Sequence, residues 1–131
     1  MSHSVAMLRP ALAAIIALAL AGPVPALHAQ TMMTLDDSLQ RLSEILGALH
    51  YLRSICGSNE GTKWRTEMQA LIDAEAAAAD RRAKMVAGFN RGYAGYQQTY
   101  RTCTPAAETA IRRYLEEGAK IAREVTARFA N

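Results

Sequence analysis

Few residues in this chain are of types that do chemistry, and their spacing limits what they can do. Outside the first thirty residues there is one histidine, His50, and there are two cysteines, Cys56 and Cys103. A nucleophilic site needs a nucleophile, a base and an orienting group within hydrogen-bond reach. No Gly-x-Ser-x-Gly elbow surrounds any serine, so His50 has no evident nucleophile to activate. Zinc takes three or four protein ligands, and no His-Glu-x-x-His run is present. Neither a metal nor a cofactor is expected. Glu116 and Glu117 are consecutive, so on a helix they diverge and cannot act alone as a paired acid and base. These readings name no catalytic residue and leave His50 as a partly buried structural imidazole.

The elements that would position these groups are helices. Leu35, Leu39, Leu42, Leu46 and Leu49 recur at steps of four and three, the period of one helix face. Thr34 with Asp37 resembles a capping box at the start of this helix, and Gly57 offers a left-handed stop after Cys56. A second helix is expected from Asn59 or Glu60 to about Ala79, with Trp64, Met68, Leu71 and Ile72 facing inward. A third starts near Asp80 as N-cap and carries Met85, Phe89, Tyr93, Tyr96, Tyr100 and Cys103 on one side. Thr104 followed by Pro105 opens a fourth, since proline fits the first helical position behind a hydroxyl cap. Its apolar face is Ala107, Ile111, Tyr114, Gly118, Ile121, Val125 and Phe129. No strand-like alternation of useful length appears. Short connections make consecutive helices antiparallel neighbours. The fold class expected is all-α, a small up-down helical bundle of three to four helices.

That topology constrains the cysteines. Helices one and three run the same way, so Cys56 and Cys103, which close them, fall at the same end. A disulfide between them is expected, and it suits an exported protein. The alternative, a redox or metal pair, lacks a Cys-x-x-Cys spacing.

Two surfaces are candidate binding sites. At the disulfide end, Arg53, Lys63, Arg65 and Arg101 gather where two helix N-termini also favour anions. A carboxylate of a partner or an anionic envelope polymer would suit that end; alternatively, Arg53 and Arg101 satisfy the last carbonyls of their helices. On the third helix, Gly88, Gly92 and Gly95 share a face, edged by Tyr93 and Tyr96. Each interior glycine costs about 1 kcal/mol relative to alanine, so the pattern needs a reason. Either the glycines admit a close neighbouring helix of the same chain, or they form a groove for a partner helix or extended ligand.

The first 29 residues read as a secretory signal peptide, ahead of one helical domain over residues 30–131. Arg9 precedes the unbroken apolar run of residues 11–21, and Gly22, Pro23 and Pro25 end it before small residues. Such a run spans about 17 Å as a helix, against a bilayer core of about 30 Å. The alternative is a retained N-terminal anchor. Cleavage is expected after Ala29 or Ala26. Loss of Arg9 takes the formal charge from +3 to about +2, so there is no basic excess to imply nucleic acid. About 100 residues then remain, enough for one modest core.

Residues 46–57, with Leu46-Gly-Ala-Leu-His-Tyr-Leu-Arg53 and Cys56-Gly57, together with Lys63-Trp64-Arg65, Phe89-Asn-Arg-Gly-Tyr93 and Tyr100-Arg-Thr-Cys-Thr-Pro105, resemble a family of small exported alphaproteobacterial proteins. It is known as domain of unknown function 2385. The resemblance spans residues 34–129 and implies an exported helical domain with no assigned activity and no catalytic residues. The function expected is that of a periplasmic, non-catalytic envelope accessory or protein-interaction module, its partner another envelope protein or a cell-wall component. The alternative is a binder of a small ligand or anionic envelope polymer.

Overall fold

A computed structural model describes Gly22 and residues 33–129. The expected signal peptide, Gly22 apart, lies outside the described residues. Within those residues four helices follow one another: α1, Leu35–Ile55; α2, Lys63–Glu75; α3, Ala79–Thr99; and α4, Pro105–Phe129. Among the described residues there is no strand, and no helix is long and apolar enough to cross a membrane.

The ends of α1 form by the local chemistry its sequence carries. The Asp37 amide donates to Thr34 Oγ1 at 3.1 Å, and the Thr34 amide donates back to Asp37 Oδ2 at 3.4 Å. Two of the first-turn donors left without helical partners are thereby used. Beyond Ile55, Gly57 takes a φ of +76°, the left-handed conformation glycine adopts without penalty. At the start of α4 the Ala107 amide donates to Thr104 Oγ1 at 3.1 Å, with Pro105 in the first turn.

The core is organised around α1 rather than between four equal helices. Leu39, Ile45, Leu49 and Leu52 are buried, and so are the small residues Ser43, Gly47 and Ala48 between them on the same helix. Ser43 keeps its interior hydroxyl satisfied by donating to the Leu39 carbonyl at 2.7 Å. The other three helices pack on α1, each through its own face: Trp64, Met68 and Ile72 from α2; Met85, Gly88 and Gly92 from α3; Ala107, Ile111 and Ile121 from α4. Among the described residues, no Cα of α4 comes within 8 Å of a Cα in α2 or α3. The backbone of α4 therefore lies against that of α1 alone, with a depression along each flank, and only side chains reach across to α3.

Three expectations need correction. Helix α2 starts at Lys63 and stops at Glu75, because Glu60 is used as a side-chain acceptor in the preceding turn and the alanine run after Glu75 has no large apolar side chain to hold it down. Helix α3 starts at Ala79 behind Ala78, with Asp80 in its first turn instead of at the cap, and it ends at Thr99, so Cys103 lies in the connection to α4. The inner face of α3 is Met85, Gly88 and Gly92, while Phe89, Tyr93, Tyr96 and Tyr100 are only half-buried beside it. Glycine lets α3 lie so close to α1 that the aromatic rings are displaced to the sides of the contact.

Candidate functional site

The disulfide expected from topology is present. Cys56 and Cys103 are bonded with their Cα atoms 4.8 Å apart, across 47 residues of chain. Close by, Tyr51 donates its hydroxyl to the carbonyl of Tyr100, a second link between α1 and the end of α3.

The basic residues at this end are partly neutralised from within. Arg53 makes a two-pronged ion pair with Glu60, Nε to Oε2 at 2.8 Å and Nη2 to Oε1 at 2.6 Å. Trp64 Nε1 donates to the same carboxylate at 3.1 Å. The Arg53 guanidinium, ahead of the Lys63 charge, holds the Glu60 carboxyl down at about 2. Lys63 lies over the Trp64 ring, 5.1 Å from its centroid, a cation–π contact. Arg65 is exposed and acts on His50, whose pKa is lowered first by burial and then by that charge. Arg101 is exposed and free of any hydrogen bond or ion pair among the described residues. For Arg53 the sequence suggests either an external anion or helical carbonyls; Glu60 occupies it instead.

Gly88 and Gly92 are covered by α1, so they form no open groove. A Cβ on Gly92 would sit 2.0 Å from the Glu44 carbonyl oxygen, and one on Gly88 would sit 3.0 Å from that of Gln40. Gly95 faces open space. Tyr93 packs edge-on to Tyr51 at 5.4 Å and tilted against His50 at 5.4 Å. Phe89 flanks His50 at 5.9 Å, and His50 Nδ1 is buried without a hydrogen-bond partner. The surroundings of His50 are thus aromatic rings, with no nucleophile against it. Among the described residues no cluster of His, Cys, Asp and Glu could hold a metal.

Two depressions flank α4. The first is an open trough of about 490 Å3 between α2 and α4, floored by Leu42 and Leu46 of α1. Trp64 and Leu71 form one wall, and Ala119 and Ala122 the other. The second is a cleft of about 590 Å3 between α4 and the end of α3, lined by Tyr96, Tyr100, Tyr114, Thr109, Arg113 and the Arg41–Glu117 pair. In that pair Arg41 Nε lies 2.7 Å from Glu117 Oε1 and Nη2 lies 3.0 Å from Oε2, and the guanidinium sits 5.6 Å from the Tyr114 centroid. Of the cleft residues only Tyr96 is a candidate on sequence grounds. Beyond the cleft on α4, Lys120 reaches Glu124 at 4.0 Å and Arg112 donates to Thr109 Oγ1 at 3.1 Å. The sequence signal for the Arg41–Glu117 pair is weak, because 76 residues separate the partners.

Over residues 34–129, from the cap of α1 to the end of α4, the chain matches the family model described as protein of unknown function, DUF2385. The chain belongs to the DUF2385 family. The matched span covers all four helices, both cysteines and both depressions, so in this DUF2385 domain the candidate sites lie inside the unit that defines the family. No curated protein and no solved structure matches the chain.

Proposed function

We propose that this DUF2385 protein is an exported, non-catalytic module of the cell envelope that acts by binding another envelope protein. The observation that carries this reading is the trough between α2 and α4. Its floor and walls are apolar: Leu42, Leu46, Trp64, Leu71, Ala119 and Ala122. Leu115, at 42% exposure, continues the apolar surface along α4. Small residues on α4 keep that wall low, so a helix can approach the leucines of α1. Amphipathic partner helices lay an apolar face into grooves of this kind, and an apolar surface rimmed by polar residues marks an interaction site. The rim here carries Lys63 and Glu67, which give both signs of charge for orientation.

Two further observations weigh against catalysis. The ionisable groups of the cleft include a carboxylate already tied to a guanidinium, and the imidazole stands among rings. Export rests on the order of charge, apolar run and small residues in the first 29 positions, and a disulfide is at home in an oxidising compartment.

The test places a photo-crosslinking amino acid at Ala119 in intact cells. A single defined adduct is expected, lost when Leu71→Arg is added, with thermal stability of the Leu71→Arg protein within a few degrees of wild type. The same cells should yield a periplasmic form whose mass begins at Leu27 or Gln30. No adduct at Ala119, or an adduct unaffected by Leu71→Arg, refutes the trough as the contact. A cytoplasmic protein of full mass refutes export.

A further inference from the structure

We infer that the cleft between α4 and the end of α3 is a binding site for a sugar acid, a pyranose ring carrying one carboxylate. The cleft lies on the flank of α4 opposite the trough, so the inference stands independently of a protein partner. Its volume of about 590 Å3 falls in the range of small-molecule sites.

Three features of its lining select the ligand. The first is charge. Arg41 is held by two carboxylates, Glu117 and, at 3.4 Å, Glu44, which leaves Arg113 as the cation of the cleft without a partner. Arg113 has no hydrogen bond or ion pair among the described residues. Its guanidinium is a planar fork that a carboxylate fills with two parallel hydrogen bonds.

The second feature is the hydroxyl inventory. Tyr96 and Tyr114 share one hydrogen bond, 2.7 Å between their oxygens. A phenol has one proton, so whichever ring accepts keeps its own proton free to donate elsewhere. Burial and the bond to Tyr114 push the Tyr96 pKa up, so the Tyr96 phenol stays protonated. Thr109 accepts from Arg112 and still has a proton to give. The Tyr100 hydroxyl adds a further donor and acceptor. A ligand that uses these groups together needs several hydroxyls of its own.

The third feature is the aromatic wall. Tyr96 and Tyr100 lie nearly parallel, 9° between planes and 6.0 Å between centroids, and Tyr114 meets Tyr96 edge-on at 5.6 Å. Arg41 already covers Tyr114, so the half-buried Tyr96 and Tyr100 are the rings left to line the cleft. An aromatic face is electron-rich and packs against the weakly positive C–H groups on the flat side of a pyranose. A purely aromatic acid would use the rings and Arg113 but leave the hydroxyls to water.

The test titrates sodium glucuronate into the 15N-labelled, oxidised protein at constant ionic strength, up to about 50 mM. Amide shifts are expected at Tyr96, Tyr100, Thr109, Arg113 and Tyr114, and not at Leu71 or Ala122. Arg113→Gln is an exposed change on α4 and should weaken the site about tenfold, the loss of a charge-assisted pair, without changing the melting temperature. Glucose, which lacks the carboxylate, and benzoate, which lacks the hydroxyls, should each bind about tenfold more weakly than glucuronate. Leu71→Arg should leave the titration unchanged. The inference is overturned by an absence of shifts in the cleft, by equal binding of benzoate, by equal binding of glucose, or by an Arg113→Gln protein that binds as wild type does.

Discussion

Four glycines in or against α3 allow the α1–α3 contact to be tested by adding one carbon at a time. A Cβ on Gly92 would stand 2.0 Å from the Glu44 carbonyl oxygen and 2.9 Å from the Ala48 nitrogen; one on Gly47 would stand 1.9 Å from the Phe89 carbonyl oxygen. The obstructing atoms are backbone, so no side chain can swing aside. To restore an ordinary separation near 3.4 Å, the helices must part by about 1.4 Å at Gly92. A gap of only about 0.5–1 Å already forfeits a quarter to a half of each dispersion contact it opens. Alanine returns about 1 kcal/mol of helix propensity, which this loss exceeds. Gly92→Ala and Gly47→Ala should each destabilise by roughly 2–4 kcal/mol net. Gly88→Ala, whose new carbon meets the Gln40 carbonyl oxygen at 3.0 Å, needs a shift of a few tenths of an ångström and should be near neutral. Gly95→Ala meets nothing within 4 Å and should stabilise by about 0.5–1 kcal/mol. Thermal unfolding followed by far-ultraviolet circular dichroism reads the series. At about 4–8 °C per kcal/mol for a domain this size, Gly92→Ala should melt at least about 8 °C below wild type and Gly95→Ala a few degrees above it. Equal shifts at Gly92 and Gly95, or a Gly92→Ala protein as stable as wild type, would refute the backbone contact as the reason for these glycines.

Other perturbations test the disulfide end and the titratable groups. Cys103→Ser should destabilise by about 4 kcal/mol on the chain-entropy estimate for a loop of 47 residues, and hydrogen exchange should rise first around Cys56 and the start of α4; a rise confined to the end of α4 would contradict this. Glu60, held at about 2 against an ordinary 4.5, adds stability that is complete above pH 4.5 and is lost as pH falls from 4.5 toward 2. Glu60→Gln should flatten the acid limb of a melting-temperature profile in that window, and an unchanged limb would show that the Arg53 pair contributes nothing. For His50 the direction is a depressed pKa, so the unfolded chain takes up its proton first. Stability should therefore fall as pH drops through 6.5, with no contribution above it; His50→Phe, which keeps a ring between Phe89 and Tyr93, should remove that slope.

Much of the fold is legible in the sequence because it is written locally. Thr34 and Asp37, Gly57, and Thr104 with Pro105 mark helix ends through bonds between near neighbours, and each acts at the expected position. The disulfide follows from helix direction alone. The central place of α1 is not legible, because Ser43, Gly47 and Ala48 look like neutral spacers until another backbone is laid against them. The repeat of Gly88 and Gly92 announces a close approach but does not say whether the neighbour belongs to the same chain. The cleft is hidden in the sequence for a related reason. Its lining comes from Arg41, Tyr96 and Tyr100, Arg113 and Glu117, which are joined only by tertiary structure, whereas Arg53 and Glu60 meet across a single turn.

The position of α4 links stability to both proposed sites. The backbones of α2 and α3 lie against α1 and, marginally, each other, but among the described helices the backbone of α4 lies close to α1 alone. Its hold depends on a few long-range ties: Ile111 and Ile121 in the core, the Arg41–Glu117 pair, the Tyr96–Tyr114 hydrogen bond, and the covalent tether just before Pro105. Packing α4 more tightly, with larger side chains at Gly118 or Ala122, would fill the trough beside the leucines of α1. Bringing it against α3 would close the cleft over Tyr100 and Arg113. The small residues along α4 are therefore poor choices for stability and suitable ones for keeping both flanks open. A half-supported helix of this kind belongs to the least stable part of a domain, and the disulfide restrains it at the end where the cleft lies.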